Sequence, residues 1–286
     1  MRKKHSWVVA VLLFTFAFAP RSFAAPTRVV STFLCTDEYV FRLLPRQNIA
    51  ALSFLAADTH PVVSTIRDFV GGMTLIRPDT ETVLALKPDL VVMYEGTNPR
   101  LHAHLMEIGT PILDVPWANS LADIRKITLM LGEKLGAKDR AAALLKQMDA
   151  DLSAPHTPRP AIRTLIYEPN GYATVGGVTE EILHLAGLRN IAPDFKVGRT
   201  GAIPVEAVIA AHPDLLLLNG EAARSRADLV LRHPALRALS GHTLVRWVSL
   251  TPLLCPGPWS AKATEPLAKL GAEARALAPV TDKAAF

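Results

Sequence analysis

Cysteine is scarce in this chain of 286 residues, with only Cys35 and Cys255 present. Neither follows the small-residue site Ser22-Phe23-Ala24, so no lipid attachment is indicated there. Near the start, the apolar run Trp7 to Ala19 holds only about 13 residues, against the roughly 20 that a bilayer-spanning helix needs. Catalytic signatures are missing too. The sequence holds no Gly-x-x-x-x-Gly-Lys, no Gly-x-Ser-x-Gly, no Gly-x-Gly-x-x-Gly after a strand and no His-Glu-x-x-His. His102 and His104 stand two apart, on different faces of a helix, and read as solvated surface. Nothing here nominates a catalytic residue or a metal ligand. Glu38, Glu95 and Glu168 stay open as acids that distant segments can bring together as acid or base.

What the N-terminus does carry is an export pattern. Arg2, Lys3 and Lys4 precede the apolar run, and Ser22-Phe23-Ala24 resembles a cleavage site, so residues 1–24 read as a signal peptide cut near Ala24. Its removal takes away four basic residues and no acid, and the formal charge falls from +5 to about +1. The remaining Lys and Arg are dispersed and not interleaved with aromatics, which argues against a nucleic-acid partner.

The most informative feature is a repeat. Glu81-Thr-Val-Leu-Ala-Leu-Lys-Pro88-Asp89-Leu-Val-Val-Met93 returns as Glu206-Ala-Val-Ile-Ala-Ala-His-Pro213-Asp214-Leu-Leu-Leu-Leu218. In each copy a glutamate opens a short helix, Pro-Asp ends it, and an apolar run follows that reads as a buried strand of a parallel sheet. Wide spacing of the copies predicts an α/β protein of two similar lobes, each a mainly parallel sheet flanked by helices. The predicted boundaries are 27–118 for the first lobe, 119–154 for a linking helical region and 161–278 for the second. Asn119-Ser120 caps the linking region, Leu121, Ile124, Ile127 and Leu131 give it helical periodicity, and Gly136 interrupts it. The Pro-rich piece 155–160 closes it. A polar turn, Cys35 to Glu38, is expected before a helix from Tyr39, and Thr179 is expected to cap a helix in the second lobe.

Open parallel sheets bind ligands outside the carboxyl ends of their strands. That edge carries Asp37, Glu38, Phe54, Thr59, His60, Tyr94, Trp117, Glu168, Tyr172, Asn219, Glu221, Arg224 and Trp259. Singly these are ordinary loop residues; together they suggest an aromatic-walled cleft with few polar anchors. Arg77 and Arg199 feed the two repeated helices and are either a clamp for an anion or surface arginines paired with nearby acids. Glu81 and Glu206 suit the positive end of a helix dipole. Their equal offsets also place one carboxylate on each side of the cleft rim, fit to dock a partner bearing paired cations.

These residues resemble the periplasmic substrate-binding proteins of ABC importers, in the group that binds vitamin B12 and ferric siderophores. The likeness runs from about Thr27 to Ala278 and is most specific at Glu81 to Leu90 and Glu206 to Leu215. It implies two lobes joined by one long α-helix, small hinge motion, and a monomer without intrinsic cofactor. It implies a guest held between the lobes, an iron chelate or corrinoid, with Arg77, Tyr94, Trp117, Tyr172, Arg199 and Trp259 as contacts. It further implies delivery to an inner-membrane permease dimer and its ATPase, with Glu81 and Glu206 as the docking carboxylates. A ligand-sensing receptor subunit or a secreted enzyme on the same scaffold are the other readings. Cys35 and Cys255 then lie one in each lobe. A disulfide requires their Cα atoms within about 7 Å; free buried thiols or a thiolate pair on a soft metal are the alternatives.

Overall fold

The computed structural model describes residues 25–58, 63–153, 161–219 and 226–277. The export pattern in 1–24, Thr59, His60, the Pro-rich piece 155–160, Glu221 and Arg224 lie outside these residues. Among the described residues no helix is long and apolar enough to cross a membrane.

Short apolar runs give the strands, and polar or proline-marked segments give the helix starts. The first half contains β1 (Val29–Ser31), α1 (Leu34–Leu43), β2 (Ile49–Ser53) and β3 (Leu75–Ile76). It continues with α2 (Thr80–Ala85), β4 (Leu90–Tyr94), α3 (Pro99–Glu107) and β5 (Ile112–Val115). Its five strands form one parallel sheet in the order β3-β2-β1-β4-β5. Two helices follow, α4 (Leu121–Lys134) and α5 (Lys138–Leu152). The second half opens with β6 (Ile162–Tyr167), β7 (Tyr172–Thr174), α6 (Gly177–Leu185), β8 (Leu188–Asn190) and β9 (Thr200–Ala202). It closes with α7 (Val205–Ala211), β10 (Leu215–Asn219), α8 (Pro234–Ala238), β11 (Leu244–Val248), α9 (Thr251–Leu254) and α10 (Thr264–Leu277). Here four parallel strands run β11-β10-β6-β8, while β7 and β9 make a separate antiparallel ribbon. The two large sheets are not continuous with one another.

The repeated segment has the same place in both halves. It supplies α2 and β4 in the first and α7 and β10 in the second. The new strand pairs with the first strand of its lobe, β1 or β6. The Pro-Asp aspartate explains why this unit is kept. Asp89 accepts from the N–H groups of Thr27 and Arg28 at 2.7 and 3.0 Å, and its own N–H donates to Arg28 O. Asp214 accepts from Arg163 N–H at 2.8 Å and its N–H donates to Arg163 O. Each aspartate thus clasps the residue that enters the central strand and fixes its register.

Two sequence expectations are corrected. The segment Cys35 to Glu38 is not a turn but the first helical turn of α1. Thr36 makes this possible, because its hydroxyl donates to Phe33 O at 2.7 Å and also accepts from Phe33 N–H. Thr179 lies inside α6; the helix starts after Gly176, whose φ of +79° suits glycine. The linking region is an antiparallel pair, broken at the expected Gly136. Gly136 ends α4 with φ +66°, and a Cβ there would lie 2.6 Å from Ala25 Cβ. Arg125 of α4 pairs with Asp149 of α5, which sets the two side by side. The helix that joins the lobes is α5. It begins against the first lobe, where Arg140 donates to Leu43 O at 3.3 Å, and continues to pack on Pro258–Ala263 and α10.

The lobes meet in a largely apolar joint. Cys35 of α1 and Cys255 are bonded, with Cα atoms 4.9 Å apart. Beside them the Trp259 ring meets Tyr39 edge-on at 4.8 Å and lies under the Arg42 guanidinium at 4.4 Å. One apolar cluster runs through this joint, including Val29 and Tyr39 from the first half and Leu215 and Trp259 from the second.

Candidate functional site

In both halves the chain order of strands reverses direction across the sheet, and such switch points open a crevice at the carboxyl ends. In the first lobe the switch lies between β1 and β4. Phe33 follows β1 and stacks on Tyr94 at the end of β4, ring centroids 5.7 Å apart. Tyr94 meets Trp117, just past β5, edge-on at 4.3 Å. The indole N–H of Trp117 donates to Glu95 O at 2.8 Å, so the ring is held in one orientation while 52% of the residue stays exposed. Tyr94 is buried and supports this shelf from below. Burial raises its pKa above the usual phenol value, and the Ala118 backbone offsets this only in part.

Further along the same edge, Arg77 follows β3 and lies over the Phe54 ring after β2, 4.2 Å from the centroid. Both Arg77 and Trp117 are exposed.

In the second lobe the switch lies between β6 and β10. Glu168 follows β6 and accepts from the Asn219 amide at 3.4 Å, and Asn219 Oδ1 in turn accepts from Leu250 N–H. Partial burial raises the Glu168 pKa above the ordinary carboxylate value, and the Asn219 bond offsets this only in part. Tyr172, 44% exposed, opens the ribbon strand β7. Arg199, just before β9, reaches back to the other side of the cleft. Its Nη2 donates to Asn119 Oδ1 at 3.0 Å, and the Asn119 amide lies 3.5 Å from Trp117 O. A second crossing bond runs from Leu121 N–H to Glu181 at 2.7 Å.

The structure therefore brings Trp117, Asn119 and Arg199 together across the halves. Trp259 it places elsewhere, 4% exposed, with its faces taken by Tyr39 and Arg42 and its N–H donated to Cys255 O. It belongs to the joint between the lobes. Asp37 and Glu38 are also sealed into the joint, where Ser53 and Thr65 donate to them. Phe33 and Asn119 were not singled out as contacts from sequence. The available signal was their position immediately after β1 and before the α4 cap.

Glu81 and Glu206 occupy the first turns of α2 and α7 and are exposed. Asp79, not Glu81, caps α2 by accepting from Thr82 N–H at 2.7 Å. Glu206 lies close enough to the end of β6 that its charge, after burial, helps push Tyr167 up to about 12. Each helix runs back into a strand of its lobe's parallel sheet, β4 or β10, so each glutamate lies toward the carboxyl-edge side of that sheet. Among the described residues no group of three His, Cys, Asp or Glu side chains is placed to hold a metal ion.

The model of the family described as periplasmic binding protein matches residues 63–241, more than half of the chain. The chain belongs to that family. A vitamin B12-binding protein of Photorhabdus laumondii is 28% identical over 239 residues, which cover 80% of this chain and 84% of that one. Among solved structures, the apo periplasmic heme-binding protein of Roseiflexus aligns over 86% of this chain and 98% of its own, with TM-score 0.66 and 20% identity. The periplasmic vitamin B12 binding protein of Vibrio cholerae aligns over 88% and 98%, with TM-score 0.66 and 19% identity. At those identities the likeness establishes the two-lobed fold. The family is one of solute-binding proteins and not of enzymes, and its members are exported.

Proposed function

We propose that this protein is a periplasmic solute-binding protein that captures a metal chelate between its lobes and hands it, unaltered, to an ABC permease dimer and its ATPase. The supporting observation is an exposed, orientation-locked Trp117 in one lobe beside two bonds that cross to the other, Arg199 to Asn119 and Leu121 N–H to Glu181, with Tyr172, Glu168 and Asn219 along the second lobe's edge. Such a floor suits a large ligand that is partly flat and partly rich in hydrogen-bonding groups. The guest is a ferric siderophore or a corrinoid; the curated relative from Photorhabdus is named as a vitamin B12-binding protein. No residue in the cleft is assigned a catalytic role. The protein works as a monomer after cleavage near Ala24, and Glu81 and Glu206 meet cationic pockets on the permease.

Tryptophan-fluorescence titration with cyanocobalamin, ferric trihydroxamate, ferric tricatecholate, ferric citrate and haem tests the ligand class. At least one is expected to bind below about 10 μM, roughly 7 kcal/mol of binding free energy; failure of all five contradicts the reading. For the rim, Glu81→Lys with Glu206→Lys is expected to leave the binding isotherm unchanged and to abolish uptake of the bound chelate by cells. Uptake at the parental rate removes the docking assignment.

A further inference from the structure

We infer that the Cys35–Cys255 bridge sets the spacing of the two cleft walls, so that tight capture of the guest requires this pair to be oxidised. The inference rests on the chelate-binding reading above and adds a redox condition to it.

Both ends of the bridge are built into wall-bearing segments. In the first lobe Cys35 lies in the first turn of α1, just after Phe33, whose ring stacks on Tyr94 under the Trp117 shelf. The bonds between the Thr36 hydroxyl and Phe33 hold that turn in place. In the second lobe Cys255 follows α9. The residue before α9, Leu250, donates its N–H to Asn219 at 3.1 Å, and the Asn219 amide reaches Glu168 at 3.4 Å. The loop after Cys255 is closed on itself. Trp259 N–H donates to Cys255 O at 2.9 Å, and Ser260 Oγ donates to Pro252 O at 2.7 Å. A Cβ on Gly257 would lie 2.3 Å from the indole. So tight a loop moves as one piece, and a shift of Cys255 carries Leu250 and its Asn219 contact with it.

Two hydrogen bonds also cross between the halves, Arg199 to Asn119 and Leu121 N–H to Glu181, and each is exchangeable for water. The apolar cluster around the bridge is non-directional and fixes no single spacing. The covalent link does. Its formation takes two electrons and two protons from the thiols and passes them, by thiol–disulfide exchange, to a disulfide oxidant that becomes a dithiol. Such oxidants prevail in exported compartments and not in a reducing cytosol. Cys35 and Cys255 are 4% and 3% exposed, so the finished bridge is shielded from attacking thiolates. The reduced chain has loosely spaced walls before export, and the oxidised protein has set ones after it.

Leu121 reports on the spacing without any ligand. As the first residue of α4 it has no helical partner for its N–H, and its acceptor is Glu181 of the other lobe. The part-buried N–H of Arg163, held by Asp214 within the second lobe, is the reference. Native-state hydrogen exchange at both amides is compared between the wild type and Cys35→Ser with Cys255→Ser. The double variant is expected to exchange at least tenfold faster at Leu121 with Arg163 unchanged. It is also expected to bind the tightest wild-type ligand among cyanocobalamin, ferric trihydroxamate, ferric tricatecholate, ferric citrate and haem at least fivefold more weakly. Wild-type protein refolded in dithiothreitol is expected to show both changes, and reoxidation to reverse them. Unchanged exchange at Leu121, equal acceleration at both amides, or undiminished affinity overturns the inference. Failure of all five ligands to bind the oxidised wild type overturns the chelate reading and the capture claim together, whereas the exchange ratio judges the bridge by itself.

Discussion

The two lobes share a skeleton and differ at the edge that faces the guest. Both use the same helix, Pro-Asp clasp and strand, Asp89 on Arg28 in one and Asp214 on Arg163 in the other. At the switch points the first lobe presents rings, Phe33, Tyr94 and Trp117, while the second presents a carboxyl and an amide, Glu168 and Asn219. Acids are handled differently as well. The first lobe buries Asp37 fully under Ser31 and Ser53, and the second leaves Glu168 half-open to the cleft. The repeat supplies two equivalent scaffolds, and the residues just past the strands make their edges different. A site between them then gains an apolar wall and a polar wall without any change in the sheets.

The joint holds the two lobes in one relation, and breaking it tests how far they act as a unit. Replacing Cys35 and Cys255 by serine removes a link across 220 residues. A bridge closing so long a loop contributes about 2–5 kcal/mol. The midpoint of urea unfolding is expected to fall accordingly while the far-ultraviolet spectrum of the native protein is unchanged. An unchanged midpoint implies that the shared apolar cluster alone sets the relation of the lobes.

Asp37 sharpens the contrast between sealed and open acids. Burial raises its pKa to about 7, only partly opposed by the hydrogen bonds of Ser31 and Ser53. In the unfolded chain the same carboxyl titrates near 3.8, so between these values the folded state holds a proton that the unfolded state has released. The stability this contributes is complete below about pH 4 and is lost as pH rises through 7. Within that window the slope approaches about 1.4 kcal/mol per pH unit for one proton. Asp37→Asn is expected to flatten this slope in unfolding measurements between pH 5 and 7, whereas Glu168→Gln changes it less. Equal effects at the two sites erase the distinction.

The clasps offer the smallest and most symmetrical comparison. Asp89→Ala and Asp214→Ala each remove the acceptor of exposed or part-buried N–H groups, and each is expected to cost about 0.5–1.5 kcal/mol by thermal unfolding. Asp89 serves two residues, Thr27 and Arg28, and Asp214 serves Arg163, so the first substitution should be the more damaging. The reverse order means that the repeat is not structurally equivalent in its two settings.

How much of this was legible in the sequence follows from what each signal depends on. The Glu-to-Leu repeat announced two parallel sheets because its apolar runs are local and bounded by Pro-Asp. Gly136 marked the break between α4 and α5 for the same reason. The clasp was invisible, since Asp89 meets Arg28 only once β1 and β4 are paired. The first turn of α1 was mistaken for a loop because Cys, Thr and Asp disfavour helices locally, and only the Thr36 bonds and burial of Asp37 and Glu38 override that. Trp259 looked like a cleft aromatic by its position after a strand; the disulfide loop instead turns it inward onto Tyr39. Arg199 was visible as a charged residue near a helix start, but its reach to Asn119 depends on the packing of two lobes.

The central claim is that the guest lies between the halves and touches both. It is tested most directly by the affinity of the tightest-binding chelate for Trp117→Ala, Tyr172→Ala and the double variant, measured by calorimetry. Each single change is expected to weaken binding about tenfold, a loss near 1.4 kcal/mol, and the pair to weaken it further, with the unfolding midpoint unaltered. Undiminished affinity in either single variant places the guest on one lobe alone and contradicts the account.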